Sequence, residues 1–322
     1  MHPGEPPDNQ NEARYDTIVL LILLAVILAL ELTIRAFEDR LSGDIEHIFR
    51  FPDIVSQASD SPGSLLFIGN SLTKDGYDAS VIDAKLTETP EAGLSSSYKL
   101  VPDGTAISDW YCIYRNNVAG IDQPPAHVIL SFAWNQLSDQ YQLNISRLGG
   151  FFCESSDLDG LSHAGLDTIE TRLGFFTSKL SHVYVNREAI RNRVLSMAIP
   201  GYERTTQRMN RIDRERAASS AGGELSYRLL ESLIDDIEAE GSQLTIVAMP
   251  VRQRFDLDPQ LLRLMSSRGI NFLDMRYTIE LSKDNYKDRM HLNEQGSARF
   301  SELMIDRLLK TVKPYDPQSV TD

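Results

Sequence analysis

Cysteine is almost missing from this chain. Only Cys112 and Cys153 occur in 322 residues, and no Cys/His spacing of the metal-binding kind is present. The spacing excludes a zinc-finger-type site, and so few cysteines exclude a disulfide-built scaffold. Two cysteines make at most one bridge, and nothing in the sequence decides whether they pair. A basic excess is lacking as well. Asp and Glu number 46 against 32 Lys and Arg, for a formal net charge of −14. Nucleic-acid binders carry a cationic face, so no nucleic-acid partner is expected. No internal repeat is found. The composition is 42% hydrophobic, ample core for one large domain or two small ones.

Charge is also absent from one long stretch. Thr17–Leu30 is apolar through fourteen positions, and Leu32–Ile34 extends the run past Glu31. A helix over residues 17–34 spans roughly 27 Å, enough for a hydrocarbon core of about 30 Å when its ends snorkel. The basic leader and small-residue cleavage site of a signal peptide are not clear. Residues 17–35 are therefore expected to be a single-pass membrane anchor, preceded by a disordered Pro-rich acidic tail (1–16). Arg14 lies before the run and Arg35, Arg40 and Arg50 after it. That distribution does not fix orientation, because a long domain translocates regardless of it. The expectation is an extracytoplasmic main domain.

Residues 36–62 read as a polar connector with a short helix near Ile45–Phe51. Beyond it, strand-length apolar runs alternate with helical patterns. The strands are Ser64–Ile68, Ser97–Val101, His127–Ser131, Leu244–Met249 and Asn271–Leu273. The helices are Asp78–Leu86, Ser108–Asn117, Ser226–Glu240 and Pro259–Ser267. Alternation of this kind predicts an α/β domain over 63–312, with a five-stranded parallel sheet covered on both faces. Residues 138–225 are too long for a simple crossover. They are expected to form a helical insertion over the sheet's ligand edge, with residues 313–322 as a tail.

Ligands of such sheets bind at the carboxyl ends of the strands. The turns there are Gly69-Asn70-Ser71, Pro102-Asp103-Gly104-Thr105, Ala133-Trp134-Asn135-Gln136 and, after the fifth strand, Asp288-Arg289-Met290-His291. Together they hold the parts for acyl transfer. A serine hydroxyl needs an imidazole to take its proton, and the imidazole needs a carboxylate to orient it. The oxyanion needs donors, here the amides of Ser71 and Gly104 and the side-chain amide of Asn135. Asp44-Ile45-Glu46-His47 has the same spacing as Asp288–His291, but it precedes Ser71 and adjoins the anchor, so its order is wrong.

These turns resemble the blocks of the SGNH (GDSL-like) hydrolases, a flavodoxin-like three-layer α/β family of esterases and acyltransferases. Ser71 matches the block I serine, although Gly69-Asn70-Ser71-Leu72 replaces the family's aspartate by Asn70. Gly104 matches the block II glycine and Asn135 the block III asparagine, where the usual Gly-x-Asn-Asp is half matched. Asp288 and His291 match the block V Asp-x-x-His. With its single N-terminal span the chain looks most like the membrane-anchored members that serve polysaccharide O-acetylation or teichoic acid D-alanylation. The resemblance implies a serine acyltransferase or esterase acting on O-acyl, chiefly O-acetyl, groups of a glycan. Ser71 would be nucleophile, His291 base and Asp288 orienter, with no metal or organic cofactor. An acyl donor, a glycan acceptor and a membrane-bound acyltransferase are the implied partners. A plain carbohydrate or lipid esterase and a non-catalytic glycan-binding scaffold are the alternatives.

Three further features bear on substrate. Arg252 and Arg254 follow the fourth strand and suit either a carboxylate or phosphate ligand or surface salt bridges, and Trp134 stands beside Asn135. The stretch Arg187–Arg216 holds eight arginines and reads as a solvated helix of i,i+4 pairs rather than an anion-binding face. Phe151, Phe152, Phe175 and Phe176 of the insertion would line a cover that keeps water from the acyl-enzyme, which favours transfer over hydrolysis.

Overall fold

The computed structural model describes residues 9–202, 225–312 and 314. The N-terminal apolar run forms one helix, α1 (Asn9–Phe37), which starts eight residues before the expected span, so residues 9–16 are helical and not disordered tail, and residues 1–8 of that tail lie outside the described residues. By length and composition it can cross a membrane, with a mean hydropathy of 2.9 over its most apolar window and none of that window buried. The connector is more structured than its polarity suggests. It folds into α2 (Gly43–Phe49) and α3 (Phe51–Ser59), whose Ile48, Phe51 and Val55 are buried in the main core.

β1 (Leu65–Ile68) is apolar and buried on both faces, as an interior strand of a parallel sheet must be. Gly69 and Asn70 end it. A side chain at Gly69 would meet Thr73 Oγ1 at 1.9 Å, so only glycine fits there. Asn70 then caps α4 (Ser71–Gly76), its Oδ1 accepting the Leu72 N–H at 2.9 Å. The sequence reading missed this helix and began the first helix at Asp78. Asp78 is the N-cap of the helix expected there, α5 (Ala79–Glu88), which is the second after β1. A six-residue helix has too little apolar period to be read.

β2 (Ser97–Leu100), α6 (Ile107–Asn117) and β3 (His127–Phe132) follow. After the insertion come α9 (Arg228–Ala239), β4 (Gln243–Ala248), α10 (Pro259–Ser267), β5 (Asn271–Asp274) and α11 (Glu294–Thr311); α7 and α8 lie in the insertion. All five strands are parallel, in the order β2-β1-β3-β4-β5. Leu66 and Ile68 pack on the side of α3, α6 and α9, whereas Leu65 and Phe67 pack with α5 and α11. The result is the expected three-layer α/β fold with a five-stranded parallel sheet. Chain direction across the sheet reverses at β1, between β2 and β3. Ser71 therefore lies at the switch point, where an open α/β sheet leaves its crevice.

The insertion leaves and re-enters at one neck. Asp139 Oδ2 accepts from Ser226 Oγ (2.6 Å) and Arg228 N (2.9 Å), and its Oδ1 accepts from Leu229 N (3.1 Å). Within the insertion, α7 (Ile169–Leu180) and α8 (His182–Ala198) pack on each other, and α8 packs on α1. The wide turn Leu148–Phe152 lies against α6, and Cys153 is bonded to Cys112 of that helix. The expected cover of phenylalanines is not seen. Phe152 stacks on Phe51, Phe175 is fully buried in the core, and Phe176 is exposed against Phe175. The described part of the insertion flanks α6 instead of closing over Ser71. Of the arginine-rich stretch, residues 203–216 lie outside the described residues; in α8, Arg191 pairs with Glu188.

Candidate active site

Ser71 is the first residue of α4, held by two layers of bonds to the turn before it. Asn70 Nδ2 donates to the Thr105 carbonyl, and Thr105 Oγ1 and Trp110 Nε1 both donate to the Gly69 carbonyl, each at 3.0 Å. These side chains are buried, so the β1 and β2 turns are tied together by hydrogen bonds away from water. Asn70 thus does two structural jobs, capping α4 and tying its turn to the next, and neither needs a carboxylate.

On the far side of the sheet edge, a β-bridge between Tyr286 and Leu292 folds the loop before α11 back on itself. That loop brings His291 Nε2 to 2.9 Å from Ser71 Oγ. Asp288 faces the other ring nitrogen, its Oδ2 3.0 Å and Oδ1 3.2 Å from Nδ1. Asp288 Oδ1 also accepts the N–H of Met290 (2.7 Å) and of His291 (2.8 Å). Burial alone would push this carboxyl up, but the amides of His291 and Met290 and the imidazole hold it below its ordinary value. With the carboxylate charged, Nδ1 keeps its proton and Nε2 is left as an acceptor for the serine hydroxyl.

Gly104 and Asn135 occupy the turns on either side of the Ser71 turn, and no described hydrogen bond joins either to Ser71. Gly104 has a left-handed backbone (φ +69°) and an exposed position. Trp134 is the one non-glycine residue among those described with positive φ, at 53°, a strained conformation for a bulky side chain. Both Trp134 Nε1 and Asn135 Oδ1 are buried without a hydrogen-bond partner. Buried polar atoms without partners at such a turn are exceptions that call for an explanation.

Asp44 and His47, whose spacing copies the later pair, do not approach Ser71. They brace the β2 turn. Asp44 Oδ1 accepts the Asp103 N–H at 2.6 Å, and His47 Nε2 accepts the Val101 N–H at 3.1 Å. Arg147 donates to both Asp44 and the Asp103 carbonyl, and Lys74 pairs with Asp103. Burial holds His47 below its ordinary pKa, which keeps the acceptor nitrogen unprotonated. The sequence carried a trace of this brace in the doubled Asp-x-x-His, but only the fold shows what it holds.

Arg252 and Arg254 lie on the loop after β4. The Arg252 N–H donates to the Arg289 carbonyl at 3.1 Å, which ties that loop to the His291 loop. Trp134 packs on Phe255 with ring centroids 5.8 Å apart. Among the described residues one further group of ligand-type side chains lies together, Cys112, Cys153 and Asp157. Its sulfurs are bonded to each other, so it offers no thiolate to a metal. No protein-family model matches the chain, and no curated protein matches it either.

Proposed function

We propose that the chain is a membrane-anchored serine esterase or O-acyltransferase of the SGNH type, acting on ester-linked acyl groups of a glycan. The supporting observation is the contiguous line Asp288–His291–Ser71, with both hydrogen bonds near 3 Å. Ser71 Oγ attacks the ester carbonyl while His291 Nε2 takes its proton. The tetrahedral intermediate then expels the alcohol, which receives that proton, and leaves an acyl group on Ser71. An acceptor hydroxyl, of water or sugar, gives its proton to His291 and takes the acyl group, and the proton returns to Ser71. The amides of Ser71 and Gly104 and the side chain of Asn135 are the oxyanion donors of this reading. None of these steps calls on a metal or an organic cofactor.

Transfer is favoured over hydrolysis by the anchor, which would hold Ser71 near a membrane-bound acyl donor at high effective concentration. The extracytoplasmic side is favoured by the Cys112–Cys153 bond, since such bonds persist in oxidising compartments. A fluorophosphonate serine probe should label Ser71 and leave Ser71→Ala unlabelled. Ester turnover in that variant should fall by about three orders of magnitude or more. Labelling elsewhere, or full turnover by the folded variant, overturns the reading. Partition of an activated acetyl ester between free acetate and acetylated oligosaccharide then separates esterase from transferase.

A further inference from the structure

A cleft of about 880 Å³ opens between the loops after β4 and β5 and the loop that carries His291. In a chain of net charge −14, every charged residue lining it is basic: Arg252, Arg254, Arg276, Lys283 and Arg289. Arg276 is matched by Asp274 at 2.8 Å. Arg252 and Arg254 have no carboxylate at ion-pair distance among the described residues; Arg254 lies over the Tyr277 ring at 5.5 Å. Tyr277 is half exposed, and the Thr278 and Ser282 side chains complete a wall of hydroxyls and aromatic surface. Guanidinium groups hold carboxylates and phosphates in a fixed fork, and a cleft of this size takes several sugar rings.

We infer that this cleft binds the anionic groups, carboxylate or phosphate, of the acyl-accepting glycan; the acceptor role rests on the function proposed above. The test is binding, which does not require turnover. Full-length Ser71→Ala protein in neutral detergent is titrated with a uronic-acid hexasaccharide, a sugar-phosphate oligomer and the carboxyl-reduced neutral hexasaccharide. At least one charged probe should bind at least about tenfold more tightly than the neutral one, the scale of one charge-assisted bond. Arg252→Ala/Arg254→Ala should weaken it by about 10–100-fold, with an unchanged melting temperature. Arg299→Ala, a charge-matched change elsewhere, should have little effect. Equal binding of charged and neutral probes, equal loss in Arg299→Ala, or binding only to phosphatidylglycerol vesicles overturns the proposal. Charged-probe binding with no serine-probe labelling of the wild type would instead remove the enzymatic reading and leave the cleft.

A second surface is carried by different residues. Helix α7 packs through Gly174, Phe175 and Ser178, yet its opposite side is apolar. Ile169, Leu173, Phe176 and Leu180 are 81%, 62%, 43% and 82% exposed. At 3.6 residues per turn they fall within an arc of about 60°. The next residue, Ser181, donates to Glu31 Oε2 at 2.9 Å, and the N–H groups of His182 and Val183 also go to Glu31. Glu31 lies three residues inside the end of the apolar run, about 5 Å along the helix. With α1 as the membrane span proposed above, the end of α7 is therefore level with the last turn of the apolar run, at the depth where interfacial helices rest.

The geometry points to the exposed face of α7 lying in the bilayer interface beside α1. Leu173→Cys and Phe176→Cys, each labelled with an environment-sensitive fluorophore in full-length protein, report on it in phosphatidylcholine vesicles. A nitroxide-bearing lipid should quench both several-fold more strongly than the same label at Arg263→Cys on α10. Equal quenching at all three positions overturns the proposal. So does a label at 173 and 176 that is shielded from lipid by a second copy of the chain.

Discussion

Asp109 sits at the third position of α6, directly after the Gly104 turn, and its Oδ2 accepts the Ala106 N–H at 3.0 Å. Its other oxygen is buried without a partner. Burial pushes this carboxyl up to about 6. Between its ordinary value near 4 and that value the folded chain holds a proton that the unfolded chain has lost. Stability from this group is therefore complete in acid and is lost as pH rises through about 6. Asp109→Asn removes the slope. Its stability relative to wild type should climb by about 2–3 kcal/mol from pH 4 to pH 7, read by denaturant melts at each pH. Asp288 has the opposite sign. Its lowered pKa contributes stability above the ordinary carboxylate value, which is lost as pH falls through the folded one. Asp288→Asn should lower ester turnover by about three orders of magnitude, by releasing the His291 tautomer, with the melting temperature at neutral pH only slightly reduced.

Elements, not single residues, set the β2 turn. α2 supplies Asp44 and His47, the insertion supplies Arg147, and the turn itself gives only backbone groups and Asp103. Arg147→Ala should leave KM for a short ester nearly unchanged. It should lower kcat by about tenfold, less than the loss of a direct oxyanion donor, as measured on the full-length protein. A change confined to KM would show that the brace has no part in the chemical step. The Cys112–Cys153 bond works on the same scale, pinning the insertion to α6 across 41 residues of chain. Closing a loop of that length is worth about 3–4 kcal/mol. Cys112→Ala/Cys153→Ala should lose about that much stability, and reduction of the wild type should match it.

For the whole molecule, α1 is both the proposed anchor and part of the fold. Glu31 caps the start of α8, and Glu38, nearly buried, meets His182 Nδ1 at 2.6 Å and also accepts from Asn186. Wild-type protein should stay in the membrane pellet after an alkaline wash. Deleting residues 1–36 should release a domain that the serine probe still labels, because the site does not draw on α1. The released domain should melt earlier, having lost the cap of α8, a contribution of about 1 kcal/mol. Wild type in the soluble fraction would remove the anchor.

How much was legible depended on range. Strand β1 and its glycine stop and the other strands were local patterns, so their ends were readable to within a residue; helix ends were looser, off by two residues at α5 and α9 and by eight at the start of α1. The order in chain of Ser71, Gly104, Asn135 and Asp288–His291 was likewise local. Helix α4 was too short to show a period, and its cap residue looked like a turn. Everything that joins distant segments had to wait for the fold. Ser71 and His291 are 220 residues apart, and Arg147 and Asp44 are 103 apart. The sequence by itself determined which residues can form buried strands, caps and an apolar helix, because those follow from neighbours along the chain. Only the tertiary structure decided that the insertion flanks α6, that Cys112 meets Cys153, and that Asp44 and His47 brace the β2 turn. Packing brings those groups together, and no spacing along the chain encodes it.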